Sequence, residues 1–381
     1  MDDVTIVGGG PAGSFAGILL ARGGARVRIF DRSTFPRHKL CGDTLNPGAV
    51  AILWRHLDAS SLLAQGRPID GMLLTGPGRV SVRGRYRSGR RGCAITREVL
   101  DAWLVGEARR AGVQVDEGVV VRGLSARVDR GTAVVSGVTL QARDGRTVSQ
   151  EARLVIAADG RRSSLAFGRS LARQPRRPRR WAIGAYFTDV DELTTSGEMH
   201  VREDGYLGVA PLPGGLTNAC LVVPQHSGAS RMVRPDQLLH DRLQADEDLR
   251  RRFARARALA PPVMLGPMAV DAEVAGAPGL LLTGDAAGFI DPMTGDGLRL
   301  ALTGSEIAAE VALEVLDGRL PAVSAHLELT ARRRRAFRAK WRFNRAIRAL
   351  VAAPRGVTAA TVAARIVPSA FESIIRYAGD C

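Results

Sequence analysis

The sequence predicts an α/β fold built on a parallel sheet, and three observations carry it. Residues 4–7 (VTIV), a glycine-rich turn, the segment 14–22 and residues 26–30 (RVRIF) form a strand–turn–helix–strand unit. β-Branched and alternating residues favour the strands, and a small, apolar run stopped by Gly23-Gly24 favours the helix. Residues 154–163 (LVIAADGRRS) and 281–288 (LLTGDAAG) each couple a short apolar strand to a glycine turn, the pattern of strands buried on both faces. Short alternating runs between 113 and 157 and between 181 and 223 add further sheet.

The other elements follow the same periodicities. Val99, Leu100, Trp103 and Leu104 recur at helical spacing between Thr96 and Ala111, with Thr96 as N-cap and Glu98 in the first turn. Residues 169–180 (RSLARQPRRPRR) read as a basic, proline-broken connector where the chain crosses between domains. The strands of 181–223 surround the turn Pro211-Leu212-Pro213-Gly214-Gly215. Residues 236–260 read as a polar, arginine-rich helix, 279–283 as a strand, and 298–316 as a helix of small and aliphatic residues. The rest, to Cys381, reads as mostly helical and basic, and no internal repeat is found.

Length and composition narrow the function. A chain of 381 residues suits two or three lobes, and 45% apolar with 24% charged residues excludes disorder of the whole chain. The net charge is +16, but only Lys39 and Lys340 are lysines. The positive charge is therefore arginine spread along the chain, a composition bias rather than a nucleic-acid footprint, and aromatics at 5% leave few stacking platforms. No nucleic-acid partner is expected. Cys41, Cys93, Cys220 and Cys381 form no CxxC pair, which argues against a disulfide framework or a cysteine–zinc site, and six histidines show no metal spacing. Neither a signal peptide nor a membrane-spanning run is read, so the expected location is cytoplasmic.

Gly8-Gly9-Gly10-Pro11-Ala12-Gly13 fits GxGxxG between a strand and a helix. Gly8 permits the tight turn, Gly10 lets a pyrophosphate approach the backbone, and Gly13 lets helix and strand pack closely. The helix start then offers free N–H groups and a favourable dipole. Asp31 ends the second strand, where a carboxylate binds a ribose hydroxyl pair. Together these read as a dinucleotide site. Residues 291–298 (DPMTGDGL) open a second helix start suited to a developing anion.

These segments resemble flavoproteins of the p-hydroxybenzoate hydroxylase fold, and within them most closely the geranylgeranyl reductase family with its monooxygenase and halogenase relatives. The resemblance spans about residues 4 to 305 in separated blocks. It implies FAD, with Gly8, Gly10, Ala12 and Gly13 at the pyrophosphate and Asp31 with Arg32 at the adenosine ribose. It also implies Arg97 at the phosphate and ribityl region, Val121 beside the adenine, Asp159-Gly160 bracing the phosphates, and Gly284-Asp285 at the ribityl hydroxyls. Pro292, Gly295, Gly297 and Leu298 would adjoin the flavin ring, where the Gly297 and Leu298 N–H groups stabilise negative charge. Taken alone, Asp285 reads equally as an ordinary turn aspartate and Arg97 as a solvated helix-start charge. Ser163 follows the family's Asp-Gly pair, but Ala166 stands where an arginine is usual, which leaves the donor's docking mode open.

Residues 35–45 (FPRHKLCGDTL) resemble the family's cysteine–glycine loop beside the flavin ring, placing Cys41 and Gly42 at the cofactor. Cys41 is also simply a small hydrophobe. His38 is the one histidine near this loop. Residues 205–212 (GYLGVAPL) resemble the substrate-domain strand over the flavin, with Tyr206, Gly208 and Pro211 lining the pocket; Tyr206 reads equally as a core aromatic. Isoprenoid-reducing members carry an aromatic residue at the place of Gly208 and a basic one at Leu212, so a broader, flatter substrate is implied. In 332–351, Ala339, Phe343, Ala346, Ile347 and Leu350 share one helical stripe among arginines, with Phe337 and Trp341 outside it. A terminal helix docking on the protein is favoured over weak contact with a membrane surface.

The resulting expectation is a glutathione-reductase-like FAD-binding Rossmann domain (1–70, 92–168, 261–320), an inserted β-sheet substrate domain (71–91, 169–260) and a helical C-terminal segment (321–381). The function expected is FAD-dependent, NAD(P)H-linked oxidation or reduction of a hydrophobic small molecule. Monooxygenation is preferred to C=C reduction, and a basic non-enzymatic binding protein is the remote alternative. Catalytic positions are Cys41, Gly297 and Leu298, with no metal; the oligomeric state is open.

Overall fold

The strand Asp2–Val7 lies in the middle of its sheet because four consecutive apolar or β-branched residues, Val4 to Val7, can be buried on both faces. It pairs in parallel with Val27–Asp31 on one side (Val4 opposite Val27) and with Thr147–Ala157 on the other (Val4 opposite Leu154). The structure, a computed structural model, describes residues 1–77, 80–87, 89–129, 131–141, 146–175, 179–202, 205–224, 234–352 and 368–379. His226, Cys381 and positions 176–178 of the basic connector lie outside the described residues.

The sheet continues in parallel from Val27–Asp31 to Gln114–Glu117 and from Thr147–Ala157 to Leu280–Leu282. An antiparallel ribbon, Val120–Asp129 with Thr132–Gln141, extends it at the start of Thr147–Ala157. The helices Pro11–Arg22, Arg97–Arg110 and Gly297–Leu316 share one core with its inner strands. Gly17 lets the helix lie close to the sheet: an added Cβ would stand 3.0 Å from the Ile29 side chain, which would have to shift. Thr96 caps Arg97–Arg110 as predicted, its hydroxyl accepting from the Val99 N–H at 3.4 Å.

A second, mostly antiparallel sheet holds Arg180–Thr188, Thr217–Pro224, Gly205–Pro211 and Ser196–Arg202 in that order, then Gly71–Gly76 and Val80–Arg85. Residues 71–85 thus join the strands of 180–224 across more than a hundred residues of sequence, Ser196–Arg202 pairing in parallel with Gly71–Gly76. Val263–Leu265 also pairs with Arg180–Thr188, so this sheet draws in chain beyond residue 260.

Two expectations are corrected. The helix read over 236–260 is two, Pro235–Ala245 and Glu247–Arg252, followed by the short strand Arg257–Ala258. Asp246 makes the break: its carboxylate accepts from the Asp248 and Leu249 N–H groups at 3.1 and 3.2 Å and starts a new helix. The helix Ala325–Ala352 carries two apolar faces rather than one stripe. Phe337 is buried in the core of the first sheet with Trp341 packed beside it, and the Arg333 guanidinium lies 5.2 Å from the Phe337 ring centre. Phe343, Ile347 and Leu350 turn toward the cavity described below. The last helix, Pro368–Gly379, packs on Val80–Arg85, where Ile375 sits so close to Gly84 that a Cβ there would meet it at 2.7 Å.

Candidate active site

A cavity of about 1470 Å³ runs between the two sheets. That exceeds the roughly 300–1000 Å³ of a pocket for one small molecule, so it has room for a dinucleotide and a second ligand.

One end is made by the glycine loops. Gly8 has φ +101°, and a Cβ there would strike the Ala158 carbonyl oxygen at 2.6 Å. At Gly13 a Cβ would lie 1.8 Å from the Gly8 carbonyl oxygen. Gly10 is the N-cap of Pro11–Arg22 and no side chain caps that helix, so its first N–H groups are left for a ligand. Asp31 is buried at the end of its strand and accepts from the Gly9 N–H at 2.7 Å and the Ser33 N–H at 2.8 Å. The predicted ribose ligand therefore also fixes the phosphate loop.

Around this end, Arg97 donates to Asp101 through Nε and Nη2 at 2.7 and 2.8 Å. Arg37 shares the same carboxylate at 3.3 Å and reaches over the glycine loop, its Nη2 3.3 Å from where a Gly10 Cβ would stand. The Arg37 Nε and the Asp159 Oδ1 are buried and find no hydrogen-bond partner among the described residues. Buried polar atoms left unpaired are costly, so both suit a polar ligand that the chain itself does not supply. Lys39 lines the same wall; burial, with Arg97 nearby, lowers its ammonium to about 8. Uncapped helix start, glycine cradle and unpaired polar atoms together fit an FAD pyrophosphate.

Arg32, Val121, Asp159, Gly160, Gly284 and Asp285 line this end, and Cys41, Gly42, Pro292, Gly295, Gly297 and Leu298 line the middle. The helix Gly297–Leu316, like the first, begins without a side-chain cap. Gly13 lies beneath the loop, holding helix to strand, rather than in the cavity wall. Burial pushes the Cys41 thiol up, so it is no thiolate. His38 is an exposed loop side chain 3.1 Å from Glu98.

Tyr206 and Gly208 face the cavity, whereas Pro211 ends its strand outside the wall. The Tyr206 hydroxyl is taken by Asp291, which also receives Arg180 at 2.9 Å. At Gly208 nothing lies nearer than 3.8 Å to an added Cβ, so the glycine leaves space. Leu212 is fully buried against Ile69 and Tyr86, behind the cavity wall and not part of it. The rest of this wall is mostly apolar: Met72, Leu74, Val82 and Met199 on the sheet, Met268 beside it, and Phe343, Ile347 and Ile375 on the last two helices, with Thr75 and Glu198 among them.

The sequence reading missed a buried cluster beneath Cys41-Gly42. Asp43 is fully buried with φ +49°, an uncommon conformation for a residue other than glycine. Its carboxylate accepts from Tyr186 Oη at 2.6 Å, Asn218 Nδ2 at 2.5 Å and the Arg97 N–H at 3.2 Å. Burial raises the Asp43 carboxyl to about 6. Tyr186 and Asn218 are cross-strand partners in the second sheet and both reach the cavity. Lys340 was missed as well: buried, it pairs with Asp296 at 3.2 Å, immediately before Gly297, and donates to the Tyr377 and Ala378 carbonyls. A compositional signal was present, since the only two lysines, Lys39 and Lys340, both stand at this cavity or its cover.

Among the described residues no cluster of side chains could hold a metal ion, and no helix is long and apolar enough to cross a membrane.

The chain resembles several characterised proteins. It is 32% identical to the menaquinone reductase of Mycobacterium tuberculosis, covering 81% of this chain and 76% of that one. It is 29% identical to digeranylgeranylglycerophospholipid reductase 2 of Methanopyrus kandleri, covering 83% and 78%. It is 28% identical to the Dictyostelium discoideum conditioned medium factor receptor 1, of which it spans only 64%. Among solved structures, the flavin-dependent brominase Bmp2 superposes with a TM-score of 0.85 at 19% identity, over 100% of this chain and 94% of that one. The flavin-dependent halogenase CmlS gives 0.80 at 24%, over 90% of this chain but 63% of the halogenase. A geranylgeranyl bacteriochlorophyll reductase-like protein from Thermoplasma acidophilum gives 0.78 at 20%, over 93% and 89%. Residues 1–344 match the family described as FAD binding domain, and the chain belongs to that family of flavoenzymes.

Proposed function

We propose that this protein is an FAD-dependent oxidoreductase that reduces an unsaturated, apolar small molecule, with NAD(P)H as the electron source. When bound, FAD supplies two-electron redox chemistry. The chain's own part is to hold, orient and shield. The uncapped start of Pro11–Arg22, with Arg37 and Arg97, binds the phosphates. The Gly297 and Leu298 N–H groups stabilise negative charge at the second helix start. Phe343, Ile347 and Ile375 exclude water from the far wall.

The observation that carries reduction is the Asp43–Tyr186–Asn218 cluster, a hydrogen-bonded carboxyl and hydroxyl suited to proton exchange at the edge of a mostly apolar chamber. Similarity to reductases over four-fifths of the chain supports it. Leu212, which in the sequence weighs against a reductase, lies outside the cavity and so does not contact substrate.

Monooxygenation is the second reading. It is favoured by the open space at Gly208, which admits a broad ring, and by the closed apolar cover. The experiment purifies the protein, measures its flavin absorbance, and follows NAD(P)H oxidation with apolar quinones and enones. Product formed under strict anaerobiosis supports reduction. Product that needs dioxygen overturns reduction in favour of oxygenation, and a colourless protein overturns both.

A further inference from the structure

We propose that Lys340 is a positioning residue for the flavin. With Arg299 it outweighs the Asp296 carboxylate, sets a net positive charge behind the Gly297 helix start, and favours the reduced, negatively charged ring over the oxidised one. This rests on the reading of the protein as an FAD-dependent oxidoreductase and goes beyond it by saying how the potential of the cofactor is set.

The place of Asp296 is the first reason. It stands immediately before Gly297, at the start of Gly297–Leu316, and its side chain does not cap that helix. A carboxylate there opposes an anion at the same helix start unless cations outnumber it. Asp296 is 1% exposed; Arg299 Nε donates to its Oδ1 at 3.3 Å, and the Lys340 ammonium stands 3.2 Å from its Oδ2. Asn46, itself on the cavity wall, adds a neutral donor at 3.0 Å. One carboxylate and two cations leave a net positive charge, and burial keeps solvent from screening it.

The second reason is what holds Lys340. It is buried on Ala325–Ala352, its ammonium 4.6 Å from the Tyr377 ring centre and 5.9 Å from that of Phe343. It donates to the Tyr377 carbonyl and, at 3.2 Å, to the Ala378 carbonyl, both in the last turn of Pro368–Gly379, where a helix end favours a cation. Carbonyls and rings thus fix the ammonium beside Asp296. The chain uses arginine almost throughout, and only Lys39 and Lys340 are lysines. A compact ammonium with three rotatable hydrogens serves a carboxylate and two successive carbonyls together, which suits it better than the flat fork of arginine.

The redox step balances without a proton from these residues. The nicotinamide donor gives up a hydride, which is two electrons and one proton, and is oxidised; the flavin ring that takes the hydride gains one negative charge. Lys340 and Arg299 act on that charge through space, and the Gly297 and Leu298 N–H groups act on it at the cavity wall.

The test measures the midpoint potential of the flavin-loaded protein by spectroscopic titration against a redox dye. Wild type should favour the reduced ring about tenfold relative to free FAD, a potential about 30 mV higher. Lys340→Gln keeps an amide for the helix carbonyls but removes the charge, and should shift the equilibrium about tenfold toward the oxidised ring. Asp296→Asn removes the opposing charge and should shift it about as far the other way. Lys340→Arg keeps the charge and should stay within about twofold of wild type, although it melts at lower temperature. All three variants disturb buried packing, and lost packing alone does not move the potential in opposite directions for the two halves of one ion pair. A Lys340→Gln potential equal to that of wild type overturns the proposal, as do shifts of the same sign in Lys340→Gln and Asp296→Asn. Should the variants not fold, the wild type decides: a potential above that of free FAD supports the proposal, and one at or below it overturns it. A colourless protein sinks the proposed function; a flavin-loaded protein whose potential ignores these charges sinks only the role of Lys340.

Discussion

The two ends of the cavity are built on opposite logic. At the cofactor end the frame is backbone, joined by the Arg37 and Arg97 side chains: glycines at 8, 10, 13 and 284, two helix starts without caps, and carboxylates that brace loops. At the end proposed to hold substrate the contacts are side chains from Gly71–Gly76, Val80–Arg85, Gly205–Pro211 and the last two helices. Backbone recognition demands particular residues at fixed local spacing, whereas an apolar wall accepts many residues of suitable size. Substitutions at the first end should therefore strike flavin content, and those at the second should strike substrate alone.

The sharpest way to break that contrast is Gly13→Val. A side chain there must displace the Gly8 carbonyl, so the purified protein should retain less than about a hundredth of its flavin absorbance and melt at lower temperature. Gly168→Ala is the control: it lies outside the cavity wall, no atom of the described residues stands within 4 Å of its Cβ position, and flavin content should not change.

Next in size is Lys340→Met. It leaves Asp296 buried with its remaining partners Asn46 and Arg299, and thermal unfolding should show a loss of about 3 kcal/mol. Because Lys340 also holds the carbonyls of Tyr377 and Ala378, protease cleavage near the last helix should rise with it.

At the substrate end, Gly208→Phe should fill open space. Flavin content should stay within about 10% of wild type while KM for a broad apolar substrate rises about tenfold. Equal damage to flavin content would show that the two ends are not separable.

The last effect concerns Asp43 and is confined to a narrow range of pH. Its folded carboxyl stands at about 6 against an ordinary 3.8, so between those values the folded chain holds a proton that the unfolded chain has released. Stability therefore falls as pH rises from about 4 to 6, by about 3 kcal/mol. Asp43→Asn should flatten that slope in denaturant titrations across the same range.

Much of the cofactor end was legible along the chain. The strand, glycine turn, helix and terminal Asp31 lie within one local stretch, and Thr96 and Asp285 sit where local pattern places them. The break at Asp246 was less visible, because an aspartate inside an arginine-rich run is also an ordinary helical surface residue. The two faces of Ala325–Ala352 were hidden for a related reason. Arginine stems pack on aromatic rings, so Phe337 beside Arg333 looks like a flank in sequence and is core in the fold.

The sequence by itself determined the dinucleotide loops, the alternation of strand and helix and the absence of cysteine–zinc spacing, since each is written in neighbouring residues. Only the tertiary structure decided that Asp43, Tyr186 and Asn218 meet, that Leu212 turns away from the cavity, and that Lys340 ties the cover to Asp296. Those pairings join residues up to 175 positions apart in the Asp43–Asn218 case. Sheet register and packing bring them together, and no local periodicity records which distant strand will lie opposite.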